Sequence, residues 1–272
     1  MKKIITLILA LTLALCPTLL LTSCGAKTEY DNYDKYTPGD WAQTLLISAI
    51  NVEWIKGKVE IVSHSYGYLA CSETSESELS DEVTMHWYYD GTTLNIKPSA
   101  SGTYTDKIPE KTLTIYVPGG YSFSDIDIKT VTADVSVEES GANFIEIETV
   151  SGNVSLQLDG KSQELDVETV TGEVNISSSV SKSIEISSST GNVNLYNKVV
   201  PEETEIETVS GKIDYKLSED SAFVLKCGSV SGSISNAFGE VKNNGEVVIN
   251  NGTKSIELNT VSGDITIWKK SK

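Results

Sequence analysis

Carboxylates are the side chains best placed to do chemistry in this sequence. An acidic residue returns at one position of a recurring phrase, giving Asp127, Glu146, Asp166, Glu185 and Glu205. Two residues further on come Glu148, Glu168 and Glu207, with Lys129 and Ser187 at the equivalent places. If successive phrases stack in register, these side chains form an acidic ladder, and Ca²⁺ or Mg²⁺ is the ligand that carboxylate oxygens favour. The chain has neither a D-x-[DN]-x-[DN]-G loop nor a glycine- and aspartate-rich nonapeptide, so a cation here is expected to be held weakly. An unoccupied ladder is also tolerable. Carboxylates about 5 Å apart in water repel by roughly 0.8 kcal/mol per pair before salt screening, less than the same coils gain by burying aliphatic side chains.

Other reactive groups are few. His64 and His86 stand alone, without ligand spacing, and Gly228-Ser229-Val230-Ser231-Gly232 carries valine where a nucleophile elbow needs its serine. No phosphate-binding glycine loop, H-E-x-x-H or cysteine pair is present. Carboxylate pairs suited to glycoside hydrolysis recur along the whole ladder and so single out no site. A non-enzyme is expected, with a polysaccharide-active β-helix as the weaker alternative, and no cofactor beyond such a cation.

Cys24 is the remaining reactive residue. Lys2 and Lys3 precede an apolar run from Ile4 to Leu21, ending in Leu21-Thr22-Ser23-Cys24. Small residues before a cysteine, after an apolar core, resemble the lipobox of bacterial lipoproteins. The resemblance implies removal of residues 1–23, lipid attachment at Cys24, and a place on the extracytoplasmic face of the cell membrane. Removing Lys2 and Lys3 with no acidic residue takes the formal charge from -17 to -19 (-17 minus 2). All 21 basic residues are lysine. Such a body repels nucleic acid and anionic head groups, so contact with the membrane is expected through the lipid only. Cys71 and Cys227 are too few for a disulfide framework, and Cys227, at an inward position, is expected to be a buried thiol.

The elements that must position the ladder are written in the phrase itself. Its clearest copy is Ile145-Glu146-Ile147-Glu148-Thr149-Val150-Ser151-Gly152-Asn153-Val154-Ser155-Leu156. Counting from Ala133, which stands in the glycine's place, glycines follow at 152, 172, 191, 211, 232 and 263. A period near 20 residues with strand-like content marks a stacked repeat. Within each copy, aliphatic and polar residues alternate on either side of a corner, predicting strand, corner, strand. Val150 is expected to turn the corner into the core, and Gly152 to take a backbone shape that a Cβ would oppose. An all-β parallel β-solenoid follows, with an antiparallel β-sandwich as the alternative, because only a solenoid requires the same phrase in every coil.

Four segments are expected: a signal peptide over 1–23, the lipidated cysteine and a flexible tether over 24–41, an irregular β cap over 42–120, and the repeat solenoid over 121–272. Within the cap, Asn51 to Ile61 reads as a degenerate first coil and the acidic Ser72–Glu82 stretch as an exposed loop. Asp90-Gly91 predicts a two-residue hairpin turn. The excess before Gly263 suggests a hairpin or partial coil around Glu246 to Ile249.

Repeated [I/L]-x-[I/V]-x-T-V-[S/T]-G-x-[V/I]-x-[I/L] phrases behind a lipobox resemble the bacterial β-strand repeat proteins of the DUF4097 type, which carry an adhesin label. The likeness covers roughly residues 44–268. It implies an extracytoplasmic solenoid and brings no site residues with it. The function it implies is adhesion to, or scaffolding of, a cell-envelope or host-surface component. A regulatory or envelope-stress role through a protein partner is the alternative.

Overall fold

The computed structural model describes residues 26–44, 47–138, 141–158 and 162–270. Cys24 and the apolar leader lie outside these residues. In chain order the first strands are β1 (Thr37–Pro38), β2 (Trp41–Gln43), β3 (Ala49–Trp54), β4 (Gly57–His64), β5 (Leu69–Ser75), β6 (His86–Tyr89), β7 (Thr93–Lys97) and β8 (Lys111–Pro118). The repeat supplies β9 (Ser122–Thr130), β10 (Asp134–Glu138), β11 (Gly141–Thr149), β12 (Val154–Leu158), β13 (Glu164–Thr169), β14 (Val174–Ser178), β15 (Ser183–Ser188), β16 (Val193–Asn197), β17 (Glu203–Thr208) and β18 (Ile213–Ser218). The C-terminal part adds β19 (Phe223–Ser229), β20 (Ile234–Asn236), β21 (Gly245–Ile249), β22 (Ser255–Thr260) and β23 (Ile265–Lys270).

These strands form a two-sheeted parallel β-solenoid. Each coil gives one strand to a 12-stranded sheet and one to an 11-stranded sheet, and the core is the aliphatic filling between them. Ile145 and Ile147 face inward with Val154 and Leu156, and the later coils repeat the arrangement except that Thr204 takes one apolar place and, in β20, Ile234 is partly buried and Asn236 takes the last place. Pairing is parallel and in phrase register, as in Glu146↔Asp166 and Val154↔Val174.

The corner explains the phrase. A buried threonine or serine accepts the backbone N–H of the residue three further on: Thr149 from Gly152 at 3.0 Å, Thr169 from Gly172 at 2.9 Å and Ser188 from Gly191 at 2.9 Å. The glycines are needed for a different reason from the one expected. None of the six has a left-handed φ. Instead each lies against the corner carbonyl of its neighbour, so a Cβ on Gly191 would stand 1.8 Å from the Gly172 oxygen. The corner valines also differ from expectation. Val150 and Val170 are only partly buried and join Ile55, Ile108 and Val131 in a small cluster outside the main core.

Spatial order departs from chain order at both ends. β22 pairs with β17 on one side and β19 on the other, and β23 likewise sits between β18 and β20. The last coil is therefore inserted one place inward, and the glycine stack runs from Gly211 to Gly263 to Gly232. The long spacer before Gly263 is the path out and back: β21 returns antiparallel along the outer edge of β19. Asn244, Asn250 and Asn251, all at positive φ, make its turns. At the other end β3 and β4 lie against β9 and β10, while the later β7 and β8 sit outside them.

The segment expected as a flexible tether over 24–41 is instead docked from Lys27 onward. Lys27 bridges Tyr104, Thr28 is buried with its hydroxyl donating to the Ala100 carbonyl at 2.8 Å, and β1 pairs with β6. Tyr30 and Tyr36 pack in a tilted row with Tyr88, which is apolar area that a solvated tether would leave exposed. The Ser72–Glu82 stretch is also not all loop, since its first residues extend β5. The Asp90 hairpin is present with a wider turn, in which Tyr89 faces Leu94 and the Asp90 carboxylate accepts from the Thr92 and Thr93 amides.

An ion pair locks this cap. Lys111 Nζ, fully buried, donates to Glu73 Oε2, the Val83 carbonyl and the Pro98 carbonyl, each at 2.6 Å. Glu73 Oε1 accepts in turn from the Met85 amide at 2.6 Å and from the Thr84 hydroxyl. Burial pulls the Lys111 ammonium below the usual lysine range, and the Glu73 carboxylate opposes that pull. Removing one partner leaves the other charge buried, so Lys111→Met is expected to lower stability to urea by about 3–5 kcal/mol. Gly191→Ala is expected to cost about 1–3 kcal/mol or more, because backbone must shift to admit the new carbon. Gly67→Ala, with nothing within 4 Å, should stay within about 0.5 kcal/mol of the parent in the same measurement.

Candidate binding faces

The solenoid has two broad outward faces, one per sheet. On the 12-stranded sheet the register brings Asp127, Glu146, Asp166, Glu185 and Glu205 into one row. The inserted last coil extends that row: Glu257 follows Glu205, and Lys226 follows Glu257. Lys226 therefore interrupts the row one rung later than chain order implies, and Glu246 of β21 lies opposite it on the outer side.

Among the described residues, the cations paired with this row stand towards its ends. Lys129 holds Glu148 at 2.7 Å and reaches Asp127 at 3.9 Å, while Lys226 holds Glu257 at 2.5 Å. Burial works upward on the Glu257 carboxyl, but the hydrogen bonds from Lys226 and Asn259 outweigh it and keep it below its usual range. Asp166, in the middle, has no such relief. Asp166 is pushed up to about 7, by burial first and then by Glu185, Glu168, Glu146 and Glu148. Burial also raises Glu146, with Asp127 adding to it, and Glu205, with Glu185 adding to it. Asp127 and Asp166 each keep a buried carboxylate oxygen with no hydrogen-bond partner among the described residues. Side chains on a straight row point along parallel lines, and among the described residues no three His, Cys, Asp or Glu side chains are grouped to hold a metal ion.

The other face, on the 11-stranded sheet, carries an open groove of about 520 Å³. Two parallel rows of this sheet line it, all but Thr266 at the end of the first. One runs Ser155, Asn175, Asn194, Asp214 and Thr266; the other runs Gln157, Ser177, Tyr196, Lys216 and Trp268. Asn194 donates to the Asn175 side-chain oxygen at 2.8 Å and to Glu173 at 2.9 Å. Trp268 is 48% exposed, and its indole N–H donates to Asp214 at 3.0 Å. Lys212 takes the other Asp214 oxygen at 2.8 Å. Lys270 donates to the Tyr196 hydroxyl at 2.8 Å and lies over that ring.

Tyr196, Lys216 and Trp268 do not stand out in a twelve-residue phrase, which stops at the inward aliphatic before each of them. The thirteenth position, the first outward residue beyond Leu195, Tyr215 and Ile267, holds all three. That position, read along the repeats, places Tyr196 and Trp268 in one row with Lys216 between them.

The histidines and cysteines take structural places. His86 is buried, its Nδ1 in contact with the Thr84 carbonyl at 3.1 Å, and burial lowers its pKa. His64 sits among Tyr66, Tyr68 and Tyr116. Cys71 and Cys227 are free and buried towards opposite ends of the stack, and burial pushes their thiols up to about 12 and about 11.

The Asp166 shift has a consequence for stability. Its folded pKa lies above its ordinary value, so its favourable contribution is whole below about pH 4 and is lost as pH rises through about 7. Thermal melting should therefore fall between about pH 5 and about pH 8, and Asp166→Asn should flatten that slope and melt higher at the alkaline end. The gain should be a few degrees, since about 1 kcal/mol moves a domain of this size by about 2–4 °C.

A crystal structure of a putative cell adhesion protein from Clostridium sporogenes ATCC 15579 aligns with 86% of this chain and 100% of its own, at 16% identity and a TM-score of 0.35. No curated protein matches. The profile described as Toastrack DUF4097 matches residues 47–200 and again 159–268, an overlap that a repeat permits. Together the two matches run from β3 to β23, and the chain belongs to the Toastrack DUF4097 family.

Proposed function

We propose that this is a lipid-anchored, non-catalytic protein of the extracytoplasmic membrane face that binds or scaffolds a component of the cell envelope or of a host surface. The observation that carries this reading is the presentation of outward side chains in straight rows along a stack capped at both ends. Rows of this kind suit contact with an extended partner better than enclosure of a small substrate, which needs groups converging on a concave site.

The anchor rests on the lipobox ending at Cys24, and the docking of Lys27 gives it a geometric consequence. Only three residue steps separate Cys24 from Lys27, a reach of about 11 Å at full extension. The cap end is thereby held close to the bilayer, with the repeat stack leading away from it. The acidic body, at -17 overall, adds no attraction to anionic head groups.

Cells given a radiolabelled fatty acid should label the parent protein, and Cys24→Ser should lose both the label and sedimentation with membranes. A Cys24→Ser protein that still carries label would sink the anchor. The detergent-solubilised chain should co-sediment with envelope material from its own cells, and failure to do so counts against the scaffold.

A further inference from the structure

We propose that the groove on the 11-stranded sheet is a binding platform for an uncharged pyranose oligosaccharide lying across the strands. The inference rests on the envelope-surface reading and names the chemistry of the ligand. Sugar rings offer C–H faces and equatorial hydroxyls, so a protein surface that takes them needs open aromatic faces beside planar polar groups. Trp268 is an exposed ring whose orientation is set by its hydrogen bond to Asp214. An indole fixed in this way loses little freedom on binding. Beside it, the Asn194 amide donates to the Asn175 oxygen and to Glu173, which fixes the Asn194 side chain with its own oxygen left as an acceptor.

Charge selects the class of sugar. Both Asp214 oxygens are taken, one by Trp268 and one by Lys212, and the exposed charges that remain beside the groove are Lys216 and, over the Tyr196 ring, Lys270. On a chain of net charge -17 two lysines are a small local excess, and the acidic body disfavours a polyanion.

Spacing also fits. Strands recur about every 4.8 Å, and an extended pyranose chain advances by roughly that much per sugar, so successive rings meet successive rungs. The far end of the same sheet carries a second set of open rings. Tyr116, Tyr68 and Tyr66, at 36%, 40% and 64% exposure, surround His64. β8, which bears Tyr116, lies seven strand spacings from β23, about 34 Å away. A longer chain therefore reaches aromatic faces at both ends.

The test uses the full chain in detergent micelles, titrated calorimetrically with hexamers of β-1,4-linked glucose and of N-acetylglucosamine, with their dimers, and with polygalacturonate. At least one uncharged hexamer should bind, and its dimer more weakly. Trp268→Ala should lower that affinity roughly tenfold or more. Asn194→Ala should lower it as well, each variant melting with the parent. Absence of binding by either hexamer, or binding unchanged in both variants, overturns the proposal, and binding of polygalacturonate alone overturns the uncharged class. Hexamer binding without envelope co-sedimentation would overturn the scaffold reading and leave this one standing. Co-sedimentation without hexamer binding would do the reverse.

Discussion

The structure depends on how closely the corner of one coil approaches the corner carbonyl of the next. From Gly152 onward, no side-chain carbon fits between them. That approach is what lets the Thr or Ser hydroxyl, three residues earlier, turn inward and take the glycine amide, as Thr169 does for Gly172. The corner thus has two parts that work only together: a small residue where backbones meet and a buried acceptor that satisfies the amide freed by the bend. Slipping one coil by a residue would place the serine or threonine before the glycine, or the larger polar residue after it, against the neighbouring carbonyl and turn every inward aliphatic out to water. Register is therefore set once per coil, at the corner, and the strands on either side inherit it.

A register fixed in this way decides what the surface can do. Equivalent residues stand one strand spacing apart, so chemistry on either face is a property of rows. The acidic row shows the cost. Half-buried carboxylates lie in line, Lys129 and Lys226 relieve only the parts they reach, and Asp166 in the middle holds its proton to about pH 7. On the opposite face the same geometry is favourable, because neutral amides in line can hydrogen-bond to one another, as Asn194 does to Asn175. Asparagine also serves the stack itself: the side chain of Asn153 accepts the Glu173 amide, and that of Asn192 the Lys212 amide, each tying one coil to the next.

Most of the fold was legible because a repeat states its structure many times over. The period, the inward aliphatics and the acidic row from Asp127 to Glu205 needed only in-register stacking to be placed. What was hidden was non-local. Nothing near Gly263 says that its coil slides between those of Gly211 and Gly232, since the phrase fits any slot in the stack equally well. Glu257 was missed as a rung for that reason. The N-terminal polar segment misleads differently: its tyrosines and Thr28 look like a solvated linker until Tyr88 and the Ala100 carbonyl are available to meet them. Glu73 reads as one acid among serines because its partner, Lys111, is 38 residues away.

The two inverted ends bear on how such a rod survives in water. A parallel stack that stopped at its last repeat would expose the unpaired edges of both sheets, which invite pairing with another chain. Here the last coil, β22 and β23, is held between neighbours on both sides, and the outer positions fall to irregular pieces. β21 is short, antiparallel and bounded by asparagine turns, and β1 and β2 are shorter still. These pieces do not follow the phrase, and β20, the outer strand of the 11-stranded sheet beyond the Gly232 corner, keeps only three residues of it, so a further repeat finds little edge to pair with. The repetition that builds the rod is thus stopped by segments that do not share it, and the rows along its faces remain the surfaces open to a partner.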